Sequence, residues 1–175
     1  MDLQSALSLI RPIADYPKPG IIFQDITPLL SNADAFSTVI SEIASRDPLA
    51  EIAIGIEARG FIFASAVAVK RDIGFVPIRK KGKLPAPTFS HTYGLEYGID
   101  EIEIHRDAFL PGTKITLIDD VLATGGTLEA ALRLISDAGG IVSSIVVLLE
   151  ITTLKGRSKL NDIAPGVQVH SLVSI

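Results

Sequence analysis

The chain has 175 residues, a formal net charge of −4 and no cysteine. That is the length of one ordinary domain, and it excludes a disulfide framework, a thiolate metal site and a cysteine nucleophile. Apolar residues make up 47% and charged residues 21%, which excludes a disordered chain, and a pI near 5.3 disfavours generic nucleic-acid binding through a basic surface.

Residues 2–10 place Leu3, Ala6, Leu7 and Ile10 at helical spacing, which predicts an amphipathic helix. Met1-Asp2-Leu3-Gln4 supplies no basic n-region of a signal peptide, so a soluble, cytoplasmic protein is the expectation. Pro12, Pro17, Pro19 and Gly20 impose an irregular segment, followed by the apolar patch Ile21-Ile22-Phe23. A patch of that kind is ordinarily core. Residues 33–45 read as a helix with Ser31 and Asn32 as capping candidates. Residues 51–56 read as a strand, 61–71 as a helix and 74–78 as the next strand. A basic loop follows (Arg79, Lys80, Lys81, Lys83) with Pro85 and Pro87 in it, and residues 88–97 read as a mobile loop. Residues 101–105 alternate acid and isoleucine, the pattern of a strand with one wet face, antiparallel or at an edge. Residues 114–118 read as a strand, 128–138 as a helix ended by Gly139-Gly140, and 142–149 as a strand. Alternating strands and helices predict a single α/β domain over 1–175 with a central, mainly parallel sheet flanked by helices. The mean hydropathy of +0.41 suits strands buried on both faces and leaves room for an oligomer interface. No uncharged apolar run approaches the roughly 18 residues of a spanning helix.

In a parallel sheet, ligands bind beyond the carboxyl ends of the strands. There the strongest signal is Asp119-Asp120-Val121-Leu122-Ala123-Thr124-Gly125-Gly126-Thr127. The two glycines let the backbone curl, the threonines add hydroxyl donors, and the following helix offers free N–H groups and a positive dipole end. Two carboxylates directly upstream would repel a bare phosphate. They suit a ligand that also carries vicinal hydroxyls, and a ribose 5-phosphate carries both. The loop is neither a Walker A motif nor Gly-x-Gly-x-x-Gly. A plain glycine turn with solvated acids is the alternative.

Residues 119–127 resemble the signature of the type I phosphoribosyltransferases, which bind 5-phosphoribosyl 1-diphosphate. Tyr16-Pro17-Lys18-Pro19-Gly20-Ile21-Ile22-Phe23, Glu57-Ala58-Arg59-Gly60-Phe61, Arg79-Lys80-Lys81-Gly82-Lys83-Leu84-Pro85, Leu95-Glu96-Tyr97-Gly98 and Leu154-Lys155-Gly156-Arg157 narrow the resemblance to the adenine-specific branch of that family. It runs from about residue 12 to 160. The resemblance implies adenine and 5-phosphoribosyl 1-diphosphate as substrates, AMP and diphosphate as products, Mg²⁺ on the diphosphate with no metal ligand on the protein itself, and a homodimer. It further implies an N-terminal hood over about residues 1–30 and a mobile lid over about 80–100.

Site roles follow from the resemblance residue by residue. Ala123, Thr124, Gly125, Gly126 and Thr127 match the 5-phosphate loop, and Asp119 and Asp120 the ribose-binding acids. Glu57, Ala58 and Arg59 match a diphosphate-binding turn whose first peptide is often cis, and Arg79, Lys80 and Lys83 carry further charge for the leaving group. Lys81 alone is a weaker candidate, and a merely solvated basic run is the alternative for the whole group. Glu96 matches the catalytic glutamate, which manages the adenine proton, and Arg59 is counted as catalytic as well as diphosphate-binding. Ile22, Phe23 and Gln24 match the adenine-binding segment, with Ile151 on the opposite face of the base. Where the family usually carries arginine, this chain has Gln24, so base recognition here rests on the backbone. The same chemistry on another purine base, or a non-catalytic sensor of 5-phosphoribosyl 1-diphosphate, are the other readings of these residues.

Overall fold

Prolines and Gly20 hold the N-terminal stretch to short elements. The computed structural model describes residues 1–95 and 98–175, which divide into two units, Met1–Glu42 and Ile43–Ile175. In the first, α1 (Leu3–Leu7) is capped by Asp2, whose carboxylate accepts the Ser5 N–H at 2.9 Å and the Ser5 hydroxyl at 2.8 Å. The helix stops short of Ile10, with Ser8 as its C-cap, and the extended backbone at Arg11, the residue before Pro12, begins β1. Strands β1 (Arg11–Ala14) and β2 (Ile22–Asp25) form an antiparallel hairpin with Arg11 opposite Asp25. Its connection contains a cis Tyr16–Pro17 bond and is closed by the Gly20 N–H donating to Asp15 Oδ1 at 2.7 Å. Helix α2 (Thr27–Ser31) follows, and α3 (Ala33–Ser45) starts as the sequence predicts, with Asn32 Oδ1 accepting the Ala35 N–H at 3.0 Å.

Ile21 and Ile22 are 42% and 59% exposed, so the apolar patch is not core.

In the second unit, β3 (Ile52–Ile56), α4 (Arg59–Arg71) and β4 (Gly74–Lys80) make a parallel crossover, and β5 (Thr88–Leu95) and β6 (Gly98–His105) form an antiparallel hairpin. Then come β7 (Lys114–Leu122), α5 (Gly126–Asp137), β8 (Ile141–Glu150), a 3₁₀ turn (Thr152–Leu154), α6 (Gly156–Ile163) and β9 (Gln168–Ser174). The seven strands lie in the order β5-β6-β4-β3-β7-β8-β9. From β4 to β9 all neighbours are parallel, while β6 is antiparallel to both β4 and β5. The mainly parallel α/β sheet is as the sequence predicts. Ile54, Ile56, Ile78, Ile102, Leu117 and Ile145 form its core, and α5 packs onto it through Leu128, Ala131, Leu134 and Ile135.

Three expectations need correction. Residues 88–95 are strand rather than loop: Phe89, His91 and Tyr93 turn inward while Ser90 and Thr92 are exposed, a period of two hidden by polar residue types. The basic run starts inside β4, which ends at Lys80. Asp119 and Asp120 lie within β7 rather than beyond it, because the pairing with β8 continues to Leu122 opposite Glu150.

Among the described residues, no helix is long and apolar enough to cross a membrane.

Candidate active site

The first strand of the sheet, β3, lies between β4 and β7, so chain progression reverses at β3/β7 and a crevice is expected at their carboxyl ends. The turn after β3 carries Glu57, Ala58 and Arg59, and the end of β7 carries Asp119 and Asp120. Gly60, at the start of α4, lets the helix sit against β7. A Cβ there would lie 2.9 Å from Asp119 Oδ1 and 3.0 Å from Ile118 O.

That approach brings Arg59 Nε to 2.7 Å from Asp120 Oδ2. The N–H is not aligned with that oxygen, so the contact is an ion pair rather than a hydrogen bond. Asp119 Oδ1 accepts the Asp120 N–H at 2.9 Å. Burial, and then the neighbouring Asp120 carboxylate, push the Asp119 carboxyl well above its ordinary value; burial also raises Asp120, and Arg59 opposes both shifts.

Beyond β7, residues 121–128 wrap a small cavity of about 60 Å³. Gly125 caps α5 with φ at +81°, a conformation that glycine alone adopts cheaply. Ala123, Thr124, Gly126 and Thr127 complete the wall, with the unsatisfied N–H groups of α5's first turn at hand. Gly156, at the start of α6, lies directly behind this loop: a Cβ on it would collide with Ala123 O and come within 3.0 Å of Gly125 N. Tyr93 of β5 reaches the Thr127 side chain and donates to Asp100 Oδ2 at 3.2 Å.

The basic residues are held by acids. Glu57 Oε2 accepts the Lys80 N–H at 2.9 Å and Arg79 Nε at 3.4 Å, and Glu57 Oε1 accepts Lys83 Nζ at 2.7 Å. Burial works against ionising Glu57, yet those bonds, led by Lys83, hold its carboxyl below the ordinary value. Lys80 Nζ pairs with Asp100 Oδ2 at 2.8 Å, which raises the lysine and lowers the acid. Lys81 pairs instead with Glu101, 2.8 Å away. The Glu57–Ala58 peptide is cis, at the bond the resemblance singles out.

The structure therefore brings together Asp119, Asp120, Arg59 and the loop 123–127, and separately ties Arg79, Lys80 and Lys83 to Glu57 and Asp100. Ile22, Phe23 and Gln24 lie on β2 of the first unit, where the Phe23 ring meets Tyr16 edge-on at 5.2 Å. Ile151 belongs to the second unit, immediately after β8, its N–H donating to Leu122 O at 2.9 Å. Glu96 lies outside the described residues. Sequence reasoning missed Asp100 and Tyr93. The only available signal was the period-two pattern of β5, which places Tyr93 inward and opposite Asp100.

Residues 31–172 match the family model described as a phosphoribosyl transferase domain, the class that this sheet and this loop define. The adenine phosphoribosyltransferase of Thermobifida fusca is 53% identical over 158 residues, 88% of this chain and 89% of the relative. The crystal structure of the adenine phosphoribosyltransferase of Thermoanaerobacter pseudethanolicus superposes with a TM-score of 0.93 at 46% identity, covering 99% of each chain. That of Saccharomyces cerevisiae, complexed with an imino-altritol bisphosphate and adenine, gives a TM-score of 0.90 at 34% identity over 98% of each chain. The chain belongs to the phosphoribosyl transferase family and, within it, to the adenine phosphoribosyltransferases.

Proposed function

We propose that the chain transfers a phosphoribosyl group from 5-phosphoribosyl 1-diphosphate to adenine, giving AMP and diphosphate in purine salvage. The observation that carries the site assignment is the end of β7, where two acids, one paired with Arg59, abut a glycine-capped helix N-terminus. Backbone N–H groups of residues 123–127 hold the 5-phosphate, and the Asp119 and Asp120 carboxylates accept hydrogen bonds from the ribose hydroxyls. Adenine N9 forms its bond to C1′ as the C1′–O bond to diphosphate breaks, and Glu96 accepts the proton lost from the base. Arg59, Arg79, Lys80 and Lys83 exchange their carboxylate partners for diphosphate oxygens and stabilise the departing charge. In the first unit, backbone at Ile22 and Gln24 reads the adenine edge with Phe23 against a face of the base; in the second unit, Ile151 is the residue the resemblance assigns to adenine.

Mg²⁺ on the diphosphate supplies further charge neutralisation. That arrangement is what the resemblance implies, and Mg²⁺ is commonly held by substrate phosphates with one or two carboxylates. A homodimer in the cytoplasm completes the reading.

The deciding experiment offers adenine, guanine and hypoxanthine to the enzyme with 5-phosphoribosyl 1-diphosphate and Mg²⁺. Adenine is expected to give the highest kcat/KM, and preference for another base overturns the assignment. In the same assay Glu96→Gln should lower kcat by about 10²–10⁴-fold; an unchanged kcat removes Glu96 from the reaction.

A further inference from the structure

The motif Leu154-Lys155-Gly156-Arg157 contributes no side chain to the chemistry proposed above. Its backbone nevertheless touches the phosphate loop from behind. A Cβ on Gly156 would collide with Ala123 O and lie 2.7 Å from Leu122 Cδ1 and 3.0 Å from Gly125 N. Reciprocally, a Cβ on Gly125 would lie 3.0 Å from Gly156 O. The two backbones are in contact with no room for a side chain between them.

The turn that brings Gly156 there is clamped from both sides. Lys155 adopts φ +55°, a left-handed conformation unusual for a residue with a Cβ. Arg157 Nε donates to both Glu150 oxygens, at 3.0 and 3.1 Å, and its Nη groups reach Glu150, the Val169 carbonyl and Ser171. Ser171 Oγ also donates to Glu150, 3.0 Å away. Glu150 is 5% exposed and ends β8, the strand paired with the very end of β7. One buried carboxylate therefore fixes the turn 154–157 relative to the strand from which the loop springs.

We infer that Gly156 and the Arg157–Glu150 clamp are positioning elements of the 5-phosphate nest: they set the curvature of residues 123–125 from behind, so that the loop's N–H groups converge before substrate arrives. Preorganised donors of this kind need no rearrangement on binding. The inference rests on reading 123–127 as the phosphate loop.

The test compares Gly156→Ala, Arg157→Met and Thr127→Val with the wild type, measuring KM for each substrate, kcat and the thermal midpoint. Gly156→Ala and Arg157→Met are expected to raise KM for 5-phosphoribosyl 1-diphosphate at least tenfold and at least threefold, leaving KM for adenine within twofold. Arg157→Lys should recover part of the loss. Should Gly156→Ala not fold, Arg157→Met decides. An unchanged KM for 5-phosphoribosyl 1-diphosphate, or equal losses for both substrates, overturns the inference. Thr127→Val separates the two levels. If it too leaves that KM unchanged, the loop is not the phosphate site. If it raises the KM while Gly156→Ala and Arg157→Met do not, the loop binds phosphate without this support.

Discussion

Asp119 is held in a state that costs the empty protein stability. Its carboxyl is pushed up by burial and by Asp120, so ionising it works against the fold wherever the pH lies above its ordinary value. Asp119→Asn keeps the Oδ1 that accepts the Asp120 N–H and removes the repulsion. We expect its thermal midpoint to rise by about 2–4 °C at pH 7.5, the effect of a relief on the order of 1 kcal/mol in a chain of this size. Asp119→Asn combined with Asp120→Asn should abolish turnover. A double variant that folds and turns over normally removes the acids from the mechanism.

Gln24 is the other informative single residue. Adenine is neutral and flat, and a backbone donor and acceptor are enough to read its edge. Gln24→Arg should therefore keep adenine as the preferred base and lower its KM by at most about tenfold, since a cation–π contact contributes about 0.5–2 kcal/mol. If the wild type prefers another base and Gln24→Arg restores adenine, the side chain and not the backbone selects.

Among the elements, the turn after β3 does two things at once. Arg59 faces the end of β7, while Glu57 gathers the end of β4 and the basic residues beyond it. On the proposed reading Arg79 and Lys83 leave Glu57 for diphosphate, so Glu57→Gln should tighten diphosphate as a product inhibitor by about 3–10-fold, the scale of two partly exposed ion pairs. Weaker inhibition would make Glu57 a positioner of the cations and not their competitor.

The same elements show what a sequence reveals. The Gly125-Gly126 loop was legible because its signal is local: glycines, flanking threonines and a following helical period. The β5 strand was not, since Thr88, Ser90, His91 and Thr92 look like loop residues until Phe89 and Tyr93 find the core. Nor were β9 and the β1–β2 hairpin, which exist through pairing with distant partners. The hold of Glu57 on Arg79 and Lys83 spans 22 and 26 residues, a separation at which spacing carries no information. Likewise, no local pattern announces that Gly156 touches Ala123.

At the scale of the whole molecule, the depressed carboxyls set the acid limit. Hydrogen bonds from Thr27, and then from Arg11, bring Asp25 from 3.8 to about 2. Its contribution is complete above about pH 3.8 and is lost as pH falls through about 2. Glu57, Asp100, Glu101, Glu129 and Glu150 are lowered and act in the same direction, whereas Asp119 and Asp120 act in the opposite one. Thermal midpoints should therefore fall as pH drops from about 4.5 toward 2. Asp25→Asn should flatten the lower part of that curve, as followed by circular dichroism. Parallel curves for wild type and variant would contradict the assignment of Asp25.

The pairing of every proposed diphosphate cation with an acid has a kinetic consequence. Arg59, Arg79, Lys80 and Lys83 pair with three carboxylates, Asp120, Glu57 and Asp100, and Glu57 serves both Arg79 and Lys83. Every one of these cations lies within 3.4 Å of a carboxylate, so the empty cleft casts little attractive field into solution, and the polyanionic substrate is expected to gain little steering from afar. Capture becomes a partner exchange at contact. On the same reading, departure of diphosphate is assisted, because the acids stand ready to reclaim their cations. In stopped-flow measurements the association rate of 5-phosphoribosyl 1-diphosphate should accordingly change by less than about threefold as salt is raised from low to physiological ionic strength. A steep decline would mean that the internal counterions let go before the substrate arrives.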